Sequence, residues 1–178
     1  MGKTEVIAWT EEWKNLYNLE EVILKEVLKE ELLDIFHIGS TSIRTIGYAK
    51  PIIDMLIVVT NINQVDFYIN EMVAMGYEPK GENGIAGRRY FTKGKESRTH
   101  HLHIYQIGNE HINNHIYFKE YLLNNHSEAK KYGDLKLSLA KQFPNEHLKY
   151  QEGKQQFINE LVSKAKKWGM QNRNFCER

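Results

Sequence analysis

The sequence has very little cysteine and no apolar run of membrane-spanning length. Its one cysteine, Cys176, excludes a disulfide framework within the chain and is typical of a protein kept in a reducing compartment. The longest apolar stretch, residues 52–59, is far shorter than the roughly 20 residues that a transmembrane helix needs, and the first residues lack the apolar segment of a secretory signal. We therefore expect a soluble, cytoplasmic protein with no membrane partner.

The sequence also lacks an excess of either charge. Its 24 lysines and arginines stand against 23 acidic residues, a net charge of +1, so nothing indicates a nucleic acid or another large polyanion as a partner. A length of 178 residues with 41% hydrophobic content is typical of one globular domain with a substantial core. We predict a single domain over residues 1–178, with a sheet-containing core at about 9–110 and C-terminal helices at about 111–168.

Hydrophobic periodicity predicts a sheet backed by helices. Residues 11–33 repeat apolar side chains at helical spacing, and residues 34–38 then read as a short strand. Residues 52–59 are almost continuously apolar, which is typical of a central strand covered on both faces. Paired strands are predicted at 88–91 and 101–105, followed by helices. This order predicts an α+β fold, a mixed sheet backed by helices with a C-terminal helical portion.

The segment Gly39-Ser40-Thr41-Ser42 follows the first strand of that sheet. Glycine permits a tight turn, and small hydroxyls and backbone N–H groups can hold an anion without bulky side chains in the way. Lys50 on the same loop supplies a compensating positive charge. These residues fit two interpretations, a phosphate cradle and an ordinary polar turn.

Asp54 interrupts the most apolar strand of the sequence. Burying a carboxylate as an ion costs several kcal/mol unless it is paired, hydrogen-bonded or bound to a metal. Residues of this kind cluster at functional sites. Asp54 is therefore a candidate site residue, and the alternative is a structural aspartate bonded to loop amides or to Arg44 or Lys50.

His101 and His103 are predicted to lie on one face of a strand, because side chains alternate between the two faces. Two imidazoles and one carboxylate, that of Asp54, suit a divalent metal such as Zn²⁺, Mn²⁺ or Fe²⁺. A pair of histidines that only lines a wet cleft is the alternative.

Two arginines and two residues of the last helix complete the candidates. Arg88 and Arg89 head the strand beside the histidines, where one of them, predicted to be Arg89, could reach an anion; the alternative is protection of a sheet edge by charge. Tyr150 and Lys154 lie four residues apart on the last predicted helix and therefore share a face. They could contact a ligand, and the alternative is a surface lysine packed beside an exposed tyrosine.

The same segments, taken in order, resemble the GrpB family. The resemblance covers about residues 9–165, and its motifs together are specific. It is carried by His37-Ile38-Gly39-Ser40-Thr41-Ser42-Ile43, Ala49-Lys50-Pro51-Ile52-Ile53-Asp54, Arg89-Tyr90-Phe91, His101-Leu102-His103-Ile104, Phe118-Lys119-Glu120-Tyr121-Leu122, Tyr132-Gly133-Asp134-Leu135-Lys136 and Tyr150-Gln151-Glu152-Gly153-Lys154.

The resemblance implies a nucleotidyltransferase-like fold, because GrpB proteins are similar to that superfamily, whose pattern is Gly-Ser followed by Asp-x-Asp on a strand. Gly39-Ser40 and Asp54 match this pattern. It further implies binding of a nucleotide or related phosphate compound, with Mg²⁺ held by carboxylates. Together with the residue-level arguments above, this leads us to predict Asp54 and His103 as catalytic residues. The residues predicted to bind the substrate are Gly39, Ser40, Thr41, Ser42, Lys50, Arg89, Tyr150 and Lys154, and those predicted to ligate Mg²⁺, Mn²⁺ or Zn²⁺ are Asp54, His101 and His103.

Leu56 departs from the pattern, since it stands where the superfamily has its second carboxylate and it cannot ligate a metal. One aspartate with histidines favours a transition metal over Mg²⁺, which prefers oxygen ligands. Three hypotheses follow. The first is transfer of a nucleotidyl group to a small acceptor, and the second is binding of a nucleotide or metabolite without catalysis. The third is metal-dependent hydrolysis by Asp54, His101 and His103.

Overall fold

Seven strands and five helices make up the computed structural model, which describes residues 4–172. The prediction about Cys176 lies outside these residues, as does the very start of the chain. The strands are β1 Ile7–Ala8, β2 Leu32–Ile38, β3 Tyr48–Ala49, β4 Ile53–Val59, β5 Tyr77–Pro79, β6 Arg88–Lys93 and β7 His100–Gln106. The helices are α1 Glu12–Leu28, α2 Ile69–Ala74, α3 Glu110–Asn124, α4 His126–Gln142 and α5 His147–Gln171.

The described chain packs into two compact units. The sheet unit comprises residues 11–38 and 52–112, and the helical unit comprises residues 4–10, 39–51 and 113–172. Loop 39–51, which the sequence places in the sheet-containing core, packs within the helical unit. It does so because β3 pairs with β1 and because the loop buries two isoleucines, Ile43 and Ile46, in the core of that unit.

A five-stranded sheet in the order β2-β4-β7-β6-β5 forms the sheet unit. Strand β4 runs parallel to β7, whereas the β2–β4, β6–β7 and β5–β6 pairs are antiparallel, so the sheet is mixed. The central position of β4 explains its apolar sequence, since Met55, Leu56, Ile57 and Val59 are fully buried. The predicted α+β class, with a C-terminal helical region in α3–α5, is confirmed.

Helix α1 ends earlier than its periodicity predicts. The sequence predicts a helix to about residue 33, but Lys29–Glu31 form a 3₁₀ turn after Leu28, and β2 begins at Leu32. Lys29 has a positive φ of 48° at the helix end, a conformation that stops the regular hydrogen bonding. Strand pairing therefore outweighs helix propensity over the last turn.

A buried carboxylate anchors α1 to the sheet. Glu20 is 5% exposed, accepts a hydrogen bond of 2.7 Å from Tyr77 Oη, and pairs with Lys93 Nζ at 2.8 and 3.0 Å. Burial raises the pKa of Glu20, but the hydrogen bonds from Lys93 and Tyr77 outweigh it and lower the pKa. The ion is tolerated inside the unit because it is fully paired.

Helices α3, α4 and α5 form the core of the helical unit together with loop 39–51. Ile43 and Ile46 pack among buried side chains that include Leu122 and Leu161. Gly133 of α4 lies against the Ile46 carbonyl so closely that a Cβ atom there would overlap the oxygen. Of the helices within residues 4–172, none combines the length and apolar character that a bilayer span requires.

Candidate functional site

Asp54, His101 and His103 lie together on one face of the sheet. Asp54 is in register with His101 on the neighbouring strand, and Leu56 is in register with His103. Because side chains alternate along each strand, the three polar groups share a face. His101 Nδ1 lies 3.1 Å from Asp54 Oδ1, and His103 Nε2 lies 3.8 Å from the same oxygen. This part of the predicted site is thus assembled by β4 and β7.

The electrostatics of this group favour an ionised carboxylate. Burial raises the pKa of Asp54, but the hydrogen bonds and the charges of His101 and His103 outweigh burial. The net result is a pKa well below the usual range of an aspartate. The side chains keep part of their surface, 29% for Asp54 and 23% for His101. A carboxylate that holds an accessible imidazole is an arrangement suited to general base chemistry.

The donor set does not fit the two-metal centre of the superfamily pattern. Leu56, at the expected second carboxylate position, is fully buried. Mg²⁺ prefers oxygen ligands, and this face offers one carboxylate with two imidazoles directed at one of its oxygens. In the part of the chain that the structure describes, no group of three or more His, Cys, Asp or Glu side chains is arranged to hold a metal ion.

Tyr90 joins this face, although the sequence did not single it out. It is in register with His103, and its ring centroid lies 5.1 Å from that of His103 and 5.6 Å from that of His101. Burial and the charge of Asp54 raise the pKa of Tyr90 to about 12. Arg88, 5% exposed, stacks on the Tyr90 ring at 4.7 Å. The two-residue alternation along β6 is the signal that could have found Tyr90 and favoured Arg88 over Arg89.

Arg89 lies on the opposite face of β6 from Tyr90, because it is the adjacent residue on the strand. Its Nε and Nη2 atoms bind the two oxygens of Asp66 at 2.6 and 2.8 Å. This bidentate ion pair lowers the pKa of Asp66. Arg89 therefore forms an ion pair with Asp66 within the sheet unit, and the structure does not place it beside Asp54.

The Gly39–Ser42 turn of the helical unit is closed by its own hydrogen bonds. Gly39 has a φ of 69°, which favours glycine, and Ser40–Ser42 form a 3₁₀ turn. The Ser42 hydroxyl donates to the Gly39 carbonyl at 2.7 Å, and Thr41 is buried. Trp9 Nε1 donates to the Thr41 carbonyl at 2.9 Å. The turn is thus rigidly held, with Ser40 left half-buried at its start.

Lys50, Tyr150 and Lys154 converge within the helical unit. The Nζ atoms of Lys50 and Lys154 lie 4.3 and 5.2 Å from the centroid of the Tyr150 ring. Lys50 Nζ also lies 3.3 Å from His147 Nδ1, and His147 Nε2 lies 3.1 Å from the side-chain amide of Gln151. We call these five residues the lysine cluster.

Positive charge is concentrated in the lysine cluster. Burial and the charge of Lys154 lower the pKa of Lys50 to about 8, and burial with the charges of both lysines lowers the pKa of His147. Within residues 4–172, no carboxylate forms an ion pair with Lys50. Tyr150 is fully buried, and its hydroxyl has no hydrogen-bond partner among these described residues. The cluster therefore combines excess positive charge with a buried donor, which suits an anion.

Two members of the lysine cluster were missed from the sequence. His147 and Gln151 lie on α5 with Tyr150 and Lys154 at positions i, i+4, i+3 and i+7, which is one face of a helix. This stripe is visible in the sequence. The contact of Lys50 with this stripe is not visible in the sequence, because Lys50 lies 97 residues before His147.

These features define an α+β protein that has a mixed sheet and a C-terminal helical region. The chain belongs to the GrpB family, since the model for GrpB protein matches residues 3–164. It is 47% identical over 174 residues to UPF0157 protein YqkA of Bacillus subtilis, covering 97% of this chain and 50% of that protein, so it spans half the length of this relative. It is 34% identical over 167 residues to glutamate-rich protein GrpB of Alkalihalophilus pseudofirmus, covering 91% of this chain and 95% of that protein.

Solved structures agree with the family assignment. The crystal structure of conserved protein GrpB from Enterococcus faecalis matches with a TM-score of 0.87 and 42% identity, over 92% of this chain and 99% of that chain. The poly(U) polymerase Cid1 matches with a TM-score of only 0.45 and 14% identity, over 74% of this chain and 45% of that chain. A similarity this distant says nothing about the chemistry of the present protein.

Proposed function

We propose that this protein binds a small phosphate-containing molecule of the nucleotide class, and that Lys50, Tyr150 and Lys154 hold its phosphate. The observation that carries the proposal is the placement of two lysine ammonium groups over one fully buried tyrosine ring, at 4.3 and 5.2 Å. The charge of Lys154 lowers the pKa of Lys50, so the two ammonium groups repel each other, and an anion bound between or beside them removes the repulsion. The nucleotide class comes from the resemblance of the motifs to the nucleotidyltransferase superfamily.

Calorimetry with inorganic pyrophosphate and with each of the four nucleoside triphosphates tests the proposal. Loss of one charge-assisted contact costs about 1.5–3 kcal/mol, so Lys154→Gln is expected to weaken binding by about 10-fold or more. Lys130→Gln is the matched control, because Lys130 is an exposed lysine of α4 that pairs with Asp134 at 3.0 Å. Binding that is absent in the wild type, or weakened equally by both substitutions, contradicts the proposal.

Transfer of a nucleotidyl group is a second candidate function. The observation that favours it is the contact of 3.1 Å between Asp54 Oδ1 and His101 Nδ1, with His103 Nε2 at 3.8 Å from the same oxygen. An ionised carboxylate stabilises an imidazolium, so either histidine is suited to take a proton from an acceptor hydroxyl. The prediction of His103 as a catalytic residue fits this role. Because the donor set does not fit Mg²⁺, no part of this candidate relies on a bound metal.

Turnover assays separate the two candidates. For a transferase, Asp54→Asn is expected to abolish consumption of the nucleotide. For a binding protein, the wild type binds the nucleotide and leaves it unchanged, which agrees with a leucine at position 56. The third hypothesis, metal-dependent hydrolysis, has no supporting arrangement among the described residues.

A further inference from the structure

Lys50, His147 and Gln151 form a chain of contacts inside the lysine cluster. Lys50 Nζ lies 3.3 Å from His147 Nδ1, and the other ring nitrogen, Nε2, lies 3.1 Å from the Gln151 amide. A nucleophile within hydrogen-bond reach of a base, with the base oriented by a third group, is the arrangement of activated nucleophiles in enzymes. Phosphate binding alone does not require it.

The two contacts of His147 select one tautomer. A lysine ammonium can only donate, so Nδ1 of His147 accepts from Lys50 and the ring proton is on Nε2. The amide nitrogen of Gln151 is placed 3.1 Å from Nε2, but the two ends of an amide are assigned from their hydrogen bonds. With Nδ1 accepting from Lys50, we assign the amide oxygen of Gln151 to this position, where it accepts the proton of Nε2. Gln151 therefore holds His147 with its lone pair on Lys50.

We infer that Lys50 is a nucleophilic amine with His147 as its proton acceptor, and that it forms an imine with a small aldehyde that carries a phosphate group. This goes beyond the proposed function, which it uses only for the phosphate contact with Lys154 and Tyr150. An imine suits these residues, because its formation needs no metal and no leaving group other than water. It needs one uncharged amine and one group that moves a proton, and both are present.

The reaction balances with the aldehyde as the sole co-reactant. The lone pair of Lys50 Nζ, uncharged after its ammonium proton has passed to solvent, forms a bond to the carbonyl carbon while the carbonyl π electrons move to oxygen. His147 Nδ1 takes a proton from nitrogen and returns it to that oxygen as the hydroxyl forms. His147 Nδ1 then takes the remaining proton from nitrogen, the electron pair left on nitrogen forms the C=N bond, the C–O bond breaks, and His147 gives that proton to the departing hydroxide, which leaves as water. One amine and one aldehyde give one imine and one water, with no oxidation.

The lowered pKa values of Lys50 and His147 suit the roles of nucleophile and proton acceptor. A pKa of about 8 for Lys50, compared with 10.5 for an ordinary lysine, makes the uncharged fraction at pH 7 larger by about 300-fold. The lowered pKa of His147 keeps its ring neutral and able to accept a proton at the same pH. Both properties arise because Lys154 adds its charge to a partly buried site.

Trapping with borohydride tests the inference on the intact protein. The probe is pyridoxal 5′-phosphate at less than one equivalent, reduced at successive times and located by peptide mass mapping. We expect Lys50 to be labelled at least about 10-fold faster than Lys130, an exposed lysine, with a rate that rises to a plateau above pH 8. His147→Gln is expected to slow labelling of Lys50 alone. Lys50→Arg is expected to lose the fast label.

Each outcome has a distinct meaning. Labelling of Lys50 no faster than that of Lys130 overturns the inference, and so does a rate that His147→Gln leaves unchanged. Gln151→Leu provides the same test if His147→Gln does not fold, because it frees the ring that Gln151 holds. Pyridoxal, which lacks the phosphate, separates the two proposals. If it labels Lys50 as fast as pyridoxal 5′-phosphate does, the phosphate site is refuted while the nucleophilic lysine stands.

Discussion

Substituting Lys50 is expected to make the protein more stable and less able to bind its ligand. A lysine whose pKa falls from 10.5 to about 8 on folding destabilises the native state, because its charged form is penalised there by burial and by Lys154. At about 1.36 kcal/mol for each pKa unit, the penalty at pH 7 is about 3 kcal/mol, and solvent screening of this partly exposed group reduces it to about 2–3 kcal/mol. The contact of its ammonium with the Tyr150 ring at 4.3 Å offsets about 1–2 kcal/mol of that. Lys50→Met should therefore raise the free energy of unfolding by about 1–2 kcal/mol.

The pH dependence gives this prediction its sign. Below pH 8 the lysine is charged in both states, and the native state carries the full penalty. As pH rises from about 8 to 10.5, the folded protein loses this proton while the unfolded chain keeps it, so the unfolded state binds more protons and stability rises. The advantage of Lys50→Met should shrink over this range.

Urea unfolding followed by tryptophan fluorescence measures both effects. The wild type and Lys50→Met are compared at pH 7 and pH 10, with Lys130→Met as a control for removing an exposed lysine. A variant that is less stable than the wild type at pH 7, or a difference that stays constant with pH, would refute the reasoning. Loss of pyrophosphate binding together with the gain in stability would mark Lys50 as a residue kept for function.

Three further predictions follow from the structure. Asp54→Asn should lower stability at neutral pH, because the lowered pKa of Asp54 means that its charge is stabilising. Measured by unfolding across pH, the difference should be complete above the usual pKa of a carboxyl, shrink as pH falls below it because the unfolded chain takes up the proton first, and vanish only in stronger acid. Pyrophosphate binding should be unchanged by EDTA in calorimetry, since the lysine cluster holds the phosphate without a metal; loss of binding on chelation would contradict this. Gly133→Ala should lower the free energy of unfolding by about 1–3 kcal/mol, because its Cβ overlaps the rigid Ile46 carbonyl. Gly153→Ala is the control and should lower it less, since its Cβ meets only the flexible end of the Leu139 side chain. Equal unfolding midpoints for the two variants would count against the packing of α4.

Much of the sheet was predictable from local pattern. The apolar run of β4 identified a central strand, and alternation placed His101 and His103 on one face. The same alternation separates Arg88 and Tyr90 from Arg89, so the arginine chosen from sequence lies on the other face, paired with Asp66. The partner of a strand residue depends on which strands pair, and that is set by contacts distant in sequence.

The candidate sites show the same division. Helical spacing relates His147, Tyr150, Gln151 and Lys154 to one another within two turns of α5, so their common face was present in the sequence. Lys50 lies 97 residues from His147, and only the packing of loop 39–51 within the helical unit brings the two together. The lowered pKa of Lys50 follows from that packing, since burial and the Lys154 charge cause it.

By itself the sequence determined the family, the α+β class and the carboxylate in a buried strand, because motif order and side-chain periodicity are local properties of a chain. The tertiary structure alone decided that Asp54 contacts His101, that Arg89 is occupied by Asp66, and that Lys50 meets a face of α5. Burial and charge act over a few ångströms in space, whatever the separation in sequence. The chemistry of both clusters therefore depends on distances that only the folded chain sets.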